Sequence, residues 1–478
     1  MELFSDRPGD EGLPGRERRL AMAAVMTTTT MAVFDGSMVN IALPQIARAL
    51  DVSSGEAIWV SNGYLLTVAM TLAIFAALAT RFGFRALFAF GLGVFTLASL
   101  GCAMSSSIET LIAMRLLQGI GGAATLSIGP AILRSIFPNR LLGRILGLNA
   151  LLVAASTAIA PILGGTLLSA MGWQWLFAIN IPLGIIALTL TLHVIPGKPS
   201  PAREPFDIAG AILSAAMLGG FIMAARTFSQ QGDGALAFNT LATAIAYGVS
   251  AVIAGLAFIW RQRHAPKPLL PLGMFASTRF SLAALTSMAS FVSQGITFVA
   301  LPFLFQGVYG YSAFVSALLF IPWPIGIILA APYAGRLADR YPPAIISTVG
   351  LCLFVIGLTL LALLPDRAQV WDIGVRSLLC GIGFGCFQSP NNREMLSNTS
   401  RENSGYASGV LAIMRTFGQC LGAAFVGVIL SVYVQSGGEP LKIVAQEAQA
   451  VRLSLWVAAG ATILAIAISF SRIRNARG

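Results

Sequence analysis

Charge is what this chain has least of. Only 10% of its 478 residues are Asp, Glu, Lys or Arg, against roughly 25% in a soluble globular domain. Acids are the scarcer kind, 19 against 30 basic residues. A water-exposed surface over most of the length is excluded. Histidine occurs twice, at His193 and His264, too far apart in sequence to suggest a metal pair. Cysteine occurs five times (Cys102, Cys352, Cys380, Cys386, Cys420), each time inside an apolar stretch, which points to small buried hydrophobes and away from disulfides or a metal centre. No G-x-x-x-x-G-K-[ST] loop is present, and "IPGKPS" at 195–200 lacks the spacing, so ATP hydrolysis is not expected. "GIGFG" at 381–385 lies inside an apolar run and follows no strand, so it is no nucleotide site. Neither enzyme activity nor a cofactor or metal is expected.

Apolar length is what is present. Hydrophobic residues make up 56% of the chain and the mean hydropathy is +0.80. Runs of about 20 residues recur, each long enough to cross some 30 Å of hydrocarbon as a helix. They are continuously apolar and rich in glycine, unlike the ~10-residue alternating strands of a barrel. Between breakers fourteen runs are read: 20–43, 57–79, 86–105, 109–133, 143–170, 174–195, 208–228, 236–260, 281–304, 312–334, 343–363, 369–391, 405–432 and 452–470. Segment 1–19 mixes acids, Arg, Pro and Gly and is read as a disordered cytoplasmic tail, not a signal peptide.

An even number of crossings puts both ends on one side. With that side as the cytoplasm, 22 basic residues fall in inner segments, five in outer loops and three inside runs (Arg115, Arg376, Arg415). This positive-inside asymmetry accounts for the net charge of +11 without a nucleic-acid partner. Six tryptophans, Trp59, Trp173, Trp175, Trp260, Trp371 and Trp456, fall at run ends, where an amphipathic ring meets the bilayer interface. Trp323 is different. It sits in mid-run within "IPWPIG" (321–326), where flanking prolines must disturb a helix.

The chain also repeats itself. "LATRFGFRALF" after the second run answers "GRLADRYPPAI" after the tenth, and "MRLLQGIGG" (114–122) answers "VRSLLCGIGFG" (375–385). Two duplicated six-helix halves are read, 20–195 and 268–470, with a linker carrying two inserted helices at 196–267 and a cytoplasmic tail at 471–478. Such repeats are characteristic of secondary transporters, whose substrate site lies between the halves.

Ionisable residues inside runs are the candidates for chemistry. Asp35, in "FDGSMVNIALP" (34–44), costs at least ~2.5–3.5 kcal/mol to place in a membrane, so it should face a cavity or the bundle and have a use. Either it carries a proton or meets a cation, or it is the permanent partner of Arg115, which lies at similar depth. Arg376 has Asp372 at i−4 and reads as a structural ion pair. Arg415, in "AIMRTFGQ", has no acid in its own run, and its partner stays open between Asp35 and a carbonyl. A central cavity should include Trp59, Tyr64, Phe291, Phe298 and Trp323, whose faces attract cations, together with Asn40, Gln118 and Arg415. The bland alternative is that the aromatic residues only pack.

In combination, "FDGSMVNIALP", "RLLQGIGGAA" (115–124), "APILGG" (160–165), "WQWLFAINIPLG" (173–184) and "GRLADR" (335–340) resemble the major facilitator superfamily, in its fourteen-helix drug:proton antiporter group. The resemblance implies an all-α membrane protein with the major facilitator fold, two six-helix halves plus two inserted helices, and both termini cytoplasmic. It implies a proton-coupled exporter of lipophilic cations such as quaternary ammonium compounds, dyes and viologens, monomeric, in a bacterial cytoplasmic (inner) membrane. With no second acid in the central parts of the later runs, monovalent cations are favoured. Arg115, Gln118 and Gly119 match the family motif whose arginine assists proton transfer. "STAIAPILGG" (156–165) resembles the antiporter signature, keeping Pro161, Gly164 and Gly165 but with Ser156 and Ala160 at two glycine positions. The inner-gate pattern G-x-L-A-D-R-x-G-R-R appears as "AALATRFGFR" (76–85), keeping Arg81, Gly83 and Arg85 with Thr80 for the aspartate, while Gly335, Asp339 and Arg340 keep it in the second half. Competing readings are a metabolite exporter on the same frame and a non-transporting sensor. Few polar residues in the second half and no loop beyond about 25 residues speak against them.

Overall fold

A computed structural model of the chain describes residues 12–138, 141–197, 207–229, 238–265, 268–269, 272–366, 368–398, 404–434 and 440–475. Among them there is no strand. The helices are α1 (Gly15–Ala49), α2 (Ser54–Phe82), α3 (Phe84–Ala103), α4 (Ile108–Ile136), α5 (Leu142–Ala170), α6 (Trp175–Ala178), α7 (Asn180–Val194), α8 (Ile208–Ser229) and α9 (Phe238–His264). They continue as α10 (Thr278–Phe303), α11 (Ala313–Leu318), α12 (Pro322–Arg340), α13 (Pro343–Ala362), α14 (Val370–Ser397), α15 (Ser404–Tyr433) and α16 (Pro440–Asn475). Eleven of the described helical stretches are long and apolar enough to cross a membrane. This is an all-helical, multi-pass membrane protein.

Serines at loop ends start several helices, because a hydroxyl satisfies one of the first free backbone N–H groups. Ser53 forms a reciprocal cap with Glu56 at the start of α2, and Ser107, Ser277 and Ser312 cap α4, α10 and α11. Proline divides the tenth run. Pro322 and Pro324 lack N–H donors, so the chain breaks at residues 319–321 into α11 and α12, and Trp323 stands in the first turn of α12. The sixth run is likewise divided, at Ile179.

Three readings from sequence need correction. Pro44 does not end the first helix: α1 runs on to Ala49, and the Pro44 carbonyl accepts from Arg48 Nε at 3.1 Å. The supposed tail before residue 20 is helical from Gly15, because Leu13 N–H bonds the Ile136 carbonyl at 3.1 Å and buried Arg18 stacks 5.7 Å from the Phe137 ring. At the other end Arg472 is not a free tail cation. It is 1% exposed and its Nη1 donates to Asn391 Oδ1 at 2.8 Å and Glu394 Oε2 at 2.9 Å. Residues 1–11 of the first tail and 476–478 of the second lie outside the described residues.

Packing uses one plan twice. A side chain on Gly119 of α4 would strike the Tyr64 carbonyl of α2, and one on Gly121 would strike Gly91 of α3. In the later helices a side chain on Gly381 of α14 would strike the Trp323 carbonyl of α12, and one on Gly383 would strike Gly350 of α13. Glycine at these crossings lets backbones touch, as membrane helices do where no hydrophobic force pulls them together. Tyr64 and Trp323 are thus counterparts. At the start of α2, Gly55 meets Gly427 and Ser431 near the end of α15, so the first turn of α1 and the last turn of α16 lie at one end of the bundle. The opposite end, here the far face, is where the two groups of helices close on each other. There Gly165 of α5 abuts Ala313, Phe314 and Ala317 of α11, and Gln306 Nε2 donates to the Ile41 carbonyl at 2.8 Å.

Helices α8 and α9 form a hairpin whose α8 packs against α2 and α15, tied at its base by Asp207. Its carboxylate accepts from Gly210 N–H at 3.1 Å, Arg261 Nε at 2.8 Å and Gln262 Nε2 at 2.9 Å. Burial would raise its pKa, but the Gly210, Arg261 and Gln262 donors outweigh that and hold it below the usual aspartate value. A depressed pKa means the stabilisation is complete above the unfolded-state value near 3.8 and is lost only as pH falls through the lower folded value. Asp207→Asn is therefore expected to lower stability by about 1–3 kcal/mol at neutral pH, with the difference from wild type vanishing in strong acid. Melting curves in detergent at both pH values check it, and equal melting at pH 7 would contradict it.

Candidate functional site

The buried stripe of α1 runs Thr28, Met31, Ala32, Asp35, Met38 and Val39, the 3–4 spacing of one helix face. Asp35 is part of that stripe and so points into the bundle. On α4, Arg115 and Gln118 share the buried face with Leu111, Gly119 and Gly122. The two faces meet. Arg115 Nη1 donates to Asp35 Oδ2 at 2.5 Å, and Gln118 Nε2 and Asn180 Nδ2 donate to Asp35 Oδ1 at 2.9 and 3.2 Å. Arg115 Nη1 also reaches Gln118 Oε1 at 2.5 Å, and its Nε donates to the Val60 carbonyl of α2 at 2.8 Å. Gln118 Nε2 is held in turn by Ser99 Oγ of α3 at 2.8 Å.

The acid is 1% exposed and the guanidinium 0%. Rings close the sides: the Tyr64 ring centroid is 4.6 Å from the Arg115 guanidinium carbon and that of Phe177 is 5.5 Å away. Yet Arg115 Nη2 and Tyr64 Oη have no hydrogen-bond partner among the described residues. Buried ion pairs are costly to desolvate, and removing one partner typically costs 3–5 kcal/mol. A pair of this kind is poised: neutralising the acid removes the attraction that fixes the arginine. Arg115→Lys keeps the charge but not the fork that reaches Asp35, Gln118 and Val60 together. We expect it to cost about 1–3 kcal/mol of stability, measured by melting in detergent. Wild-type melting with lysine would show that charge alone suffices.

The remaining candidates separate into distinct groups. Tyr64 belongs to the Asp35 network and Trp59 is buried against Leu66, Ile222 and Cys420, so neither opens on a central space. The position of Trp59 one turn into α2, under α8, takes it out of the interface belt, and Trp173 is buried too. Trp175, Trp260, Trp371 and Trp456 are exposed, as interface residues are. Trp323 and Phe291 join a cluster in which the ring centroids of Trp323 and Phe298 are 5.1 Å apart and those of Phe291 and Phe384 5.4 Å. Asn40 accepts from Ser61 Oγ at 2.7 Å, linking α1 to α2. Arg376 pairs with Asp372 at 2.8 Å, the i−4 pair read from sequence. Arg415 meets neither Asp35 nor a carbonyl among the described residues.

In α5, Pro161 is helical, Gly164 receives Met38 of α1 and Gly165 receives α11. At the end near the termini Gly83 turns the chain with φ +84°, Arg81 is exposed, and half-buried Arg85 bonds the Leu192 carbonyl through Nη2. Gly335 faces Ser389, and Arg340 is exposed. The side chains of Thr80 and Asp339 lie outside the described residues. Sequence reading did not single out Asn180, Ser99 or Val60. Asn180 had a signal, a lone amide inside "WLFAINIPLG", whereas a backbone carbonyl has none.

A family model described as Major Facilitator Superfamily matches residues 25–423. The chain belongs to that superfamily. It is 38% identical to the transporter YebQ of Escherichia coli (strain K12) over 468 residues, 98% of both chains. It is also 31% identical to the tetracenomycin C resistance and export protein of Streptomyces glaucescens over 427 residues, 88% of this chain and 77% of that one. Its fold resembles a bacterial homologue of the human lysosomal transporter Spinster in an inward-facing, unoccupied conformation, with a TM-score of 0.67 at 16% identity over 98% of each chain. The superfamily assignment makes this a membrane transporter, and drug-resistance exporters are among its relatives.

Proposed function

We propose that this major facilitator protein is a proton-coupled multidrug exporter working by alternating access. The observation that carries the reading is the enclosed Asp35–Arg115 pair, a titratable acid and its counter-charge at the meeting of α1, α2, α3, α4 and α7. Protonation releases Arg115, whose Nη2 has no acceptor among the described residues to hold it, and lets the first group of helices shift. Deprotonation on the other side resets it. The halves are 20–195 and 268–470, with α8 and α9 inserted between them, fourteen crossings in all. Both termini face the cytoplasm of a bacterium, the far face lies outside, and the protein works as a monomer. Closure of the far face and the resemblance to an inward-facing fold support an inward-open state here.

The resemblance implies a lipophilic cation as substrate, held by aromatic faces or by an acid that faces the cavity. Asp35 is the acid in the middle of the bundle among the described residues, and it is fully engaged. The shared feature left for substrates is an apolar, aromatic body. The test is dissipation of a pH gradient in energised everted vesicles on adding ethidium, tetracenomycin C or 1-pyrenebutyrate. At least one should discharge the gradient with wild type and none with Asp35→Asn. Discharge that persists in the mutant would move proton coupling elsewhere.

A further inference from the structure

Three features outside the Asp35 network are candidates for a further site. A crevice of about 280 Å³ under α8 is lined by Met70, Met217, Phe221, Met288 and Phe417, but nothing shows what fills it. The Arg472–Glu394 pair has its counter-charge within the protein. Arg415 is neither empty nor complete. It sits midway along α15, enclosed by the protein yet with open space at its side chain, and no hydrogen bond or ion pair engages it among the described residues.

Its direction follows from its neighbours. At 100° per residue, Val410, Ile413 and Phe417 lie on the other side of α15 and line the crevice under α8. Gly418 and Gly422 turn towards α10, where added side chains would strike Met288, Phe291 and Val292. Ala412 turns towards the core of the first helix group. Arg415 lies between these last two directions and points into the space between the helix groups. One turn on, Gln419 Nε2 donates to Gln294 Oε1 of α10 at 2.9 Å. One turn along α10 from Gln294 is half-buried Phe298, whose ring centroid is 5.1 Å from that of Trp323. Trp323 Nε1 is buried and meets no acceptor among the described residues. The wall therefore offers a cation, two amides and an aromatic platform, with no acid among its described residues.

We infer that Arg415 is the head of a substrate site for aromatic organic anions, a carboxylate or comparable group pairing with its guanidinium while the body lies along Phe298 towards Trp323. This rests on the export reading above and names its substrate class. A guanidinium stays charged and matches a carboxylate with two parallel donors. Keeping one in a membrane without a counter-ion is costly, and an anionic substrate supplies that counter-ion. A cation would meet repulsion instead.

The probes are 1-pyrenebutyrate and its neutral amide, bound to the full-length protein in detergent and read by energy transfer from tryptophan. Wild type should bind the acid about tenfold or more tightly than the amide, the worth of one charge-assisted hydrogen bond. Arg415→Gln should abolish that preference and Arg415→Lys keep part of it, with melting curves confirming that both fold. Equal binding of the two probes, an unchanged preference in Arg415→Gln, or no binding of either to wild type overturns the site. Gradient-driven flux of the same probes in everted vesicles separates this from the export reading. Preference for the acid without such flux supports the anion site and removes the exporter. Flux of the amide but not the acid does the opposite.

Discussion

Asp35→Asn is expected to abolish uphill efflux while leaving a folded transporter. Asparagine keeps an acceptor for Gln118 or Asn180 but cannot cycle a proton, and it withdraws the charge that holds Arg115. Breaking one side of a buried pair typically costs 3–5 kcal/mol, so a lower melting temperature should accompany the loss. The informative measurement separates energised from passive movement. One proton exchanged per substrate is worth about 1.4 kcal/mol per pH unit, or tenfold accumulation. Wild-type vesicles should show accumulation of that kind and the mutant none, while substrate-for-substrate exchange persists. Asp35→Glu, with the same chemistry one methylene longer, should recover part of the accumulation. Undiminished accumulation in Asp35→Asn would place the coupling acid elsewhere and leave the Asp35–Arg115 pair a structural clamp.

The pair itself was legible because ionisable residues inside apolar runs are few, and each needs a reason to be there. Its surroundings were less so. Burial of Tyr64 beneath Arg115 depends on the close crossing of α2 and α4 at Gly119, and a tyrosine inside a run reads the same whether it lines a cavity or packs. Trp59 misled for a similar reason: the insertion of α8 beside α2 covers a ring that two uninterrupted halves would leave at the surface. Helix ends were blurred where tertiary partners override local breakers. Pro44 stays helical, and Arg472, charged and terminal in sequence, is drawn in by Glu394 and Asn391 on α14. Repeated motifs, by contrast, carried over directly, since Gly119 and Gly121 on α4 and Gly381 and Gly383 on α14 meet equivalent partners. Arg415 was visible as a charge without a partner in its own run. Only the structure shows that none of the described residues supplies one.

Gly165→Val should unbalance the two faces of the transporter without unfolding it. A Cβ at Gly165 would stand 2.7 Å from Ala317 Cβ, 2.9 Å from the Ala313 carbonyl and 3.0 Å from Phe314 Cα, so little can move aside except α11 as a whole. Overpacking of this kind costs about 1–3 kcal/mol. The clash belongs to the state in which α5 and α11 touch, so the cost falls on far-face closure and spares the fold of either helix group. An equilibrium between open and closed far faces would shift by roughly 5- to 150-fold. Spin labels at Met171 and Leu363, both exposed near the far face, should report longer separations in the mutant, with transport reduced at least about tenfold if that shift is rate-limiting. Gly93→Val is the control, since a Cβ there meets nothing within 4 Å; it should leave both distance and flux unchanged. Lost flux with a wild-type distance distribution in Gly165→Val would show that the glycine serves packing within one group of helices, and that the contact between α5 and α11 is no gate.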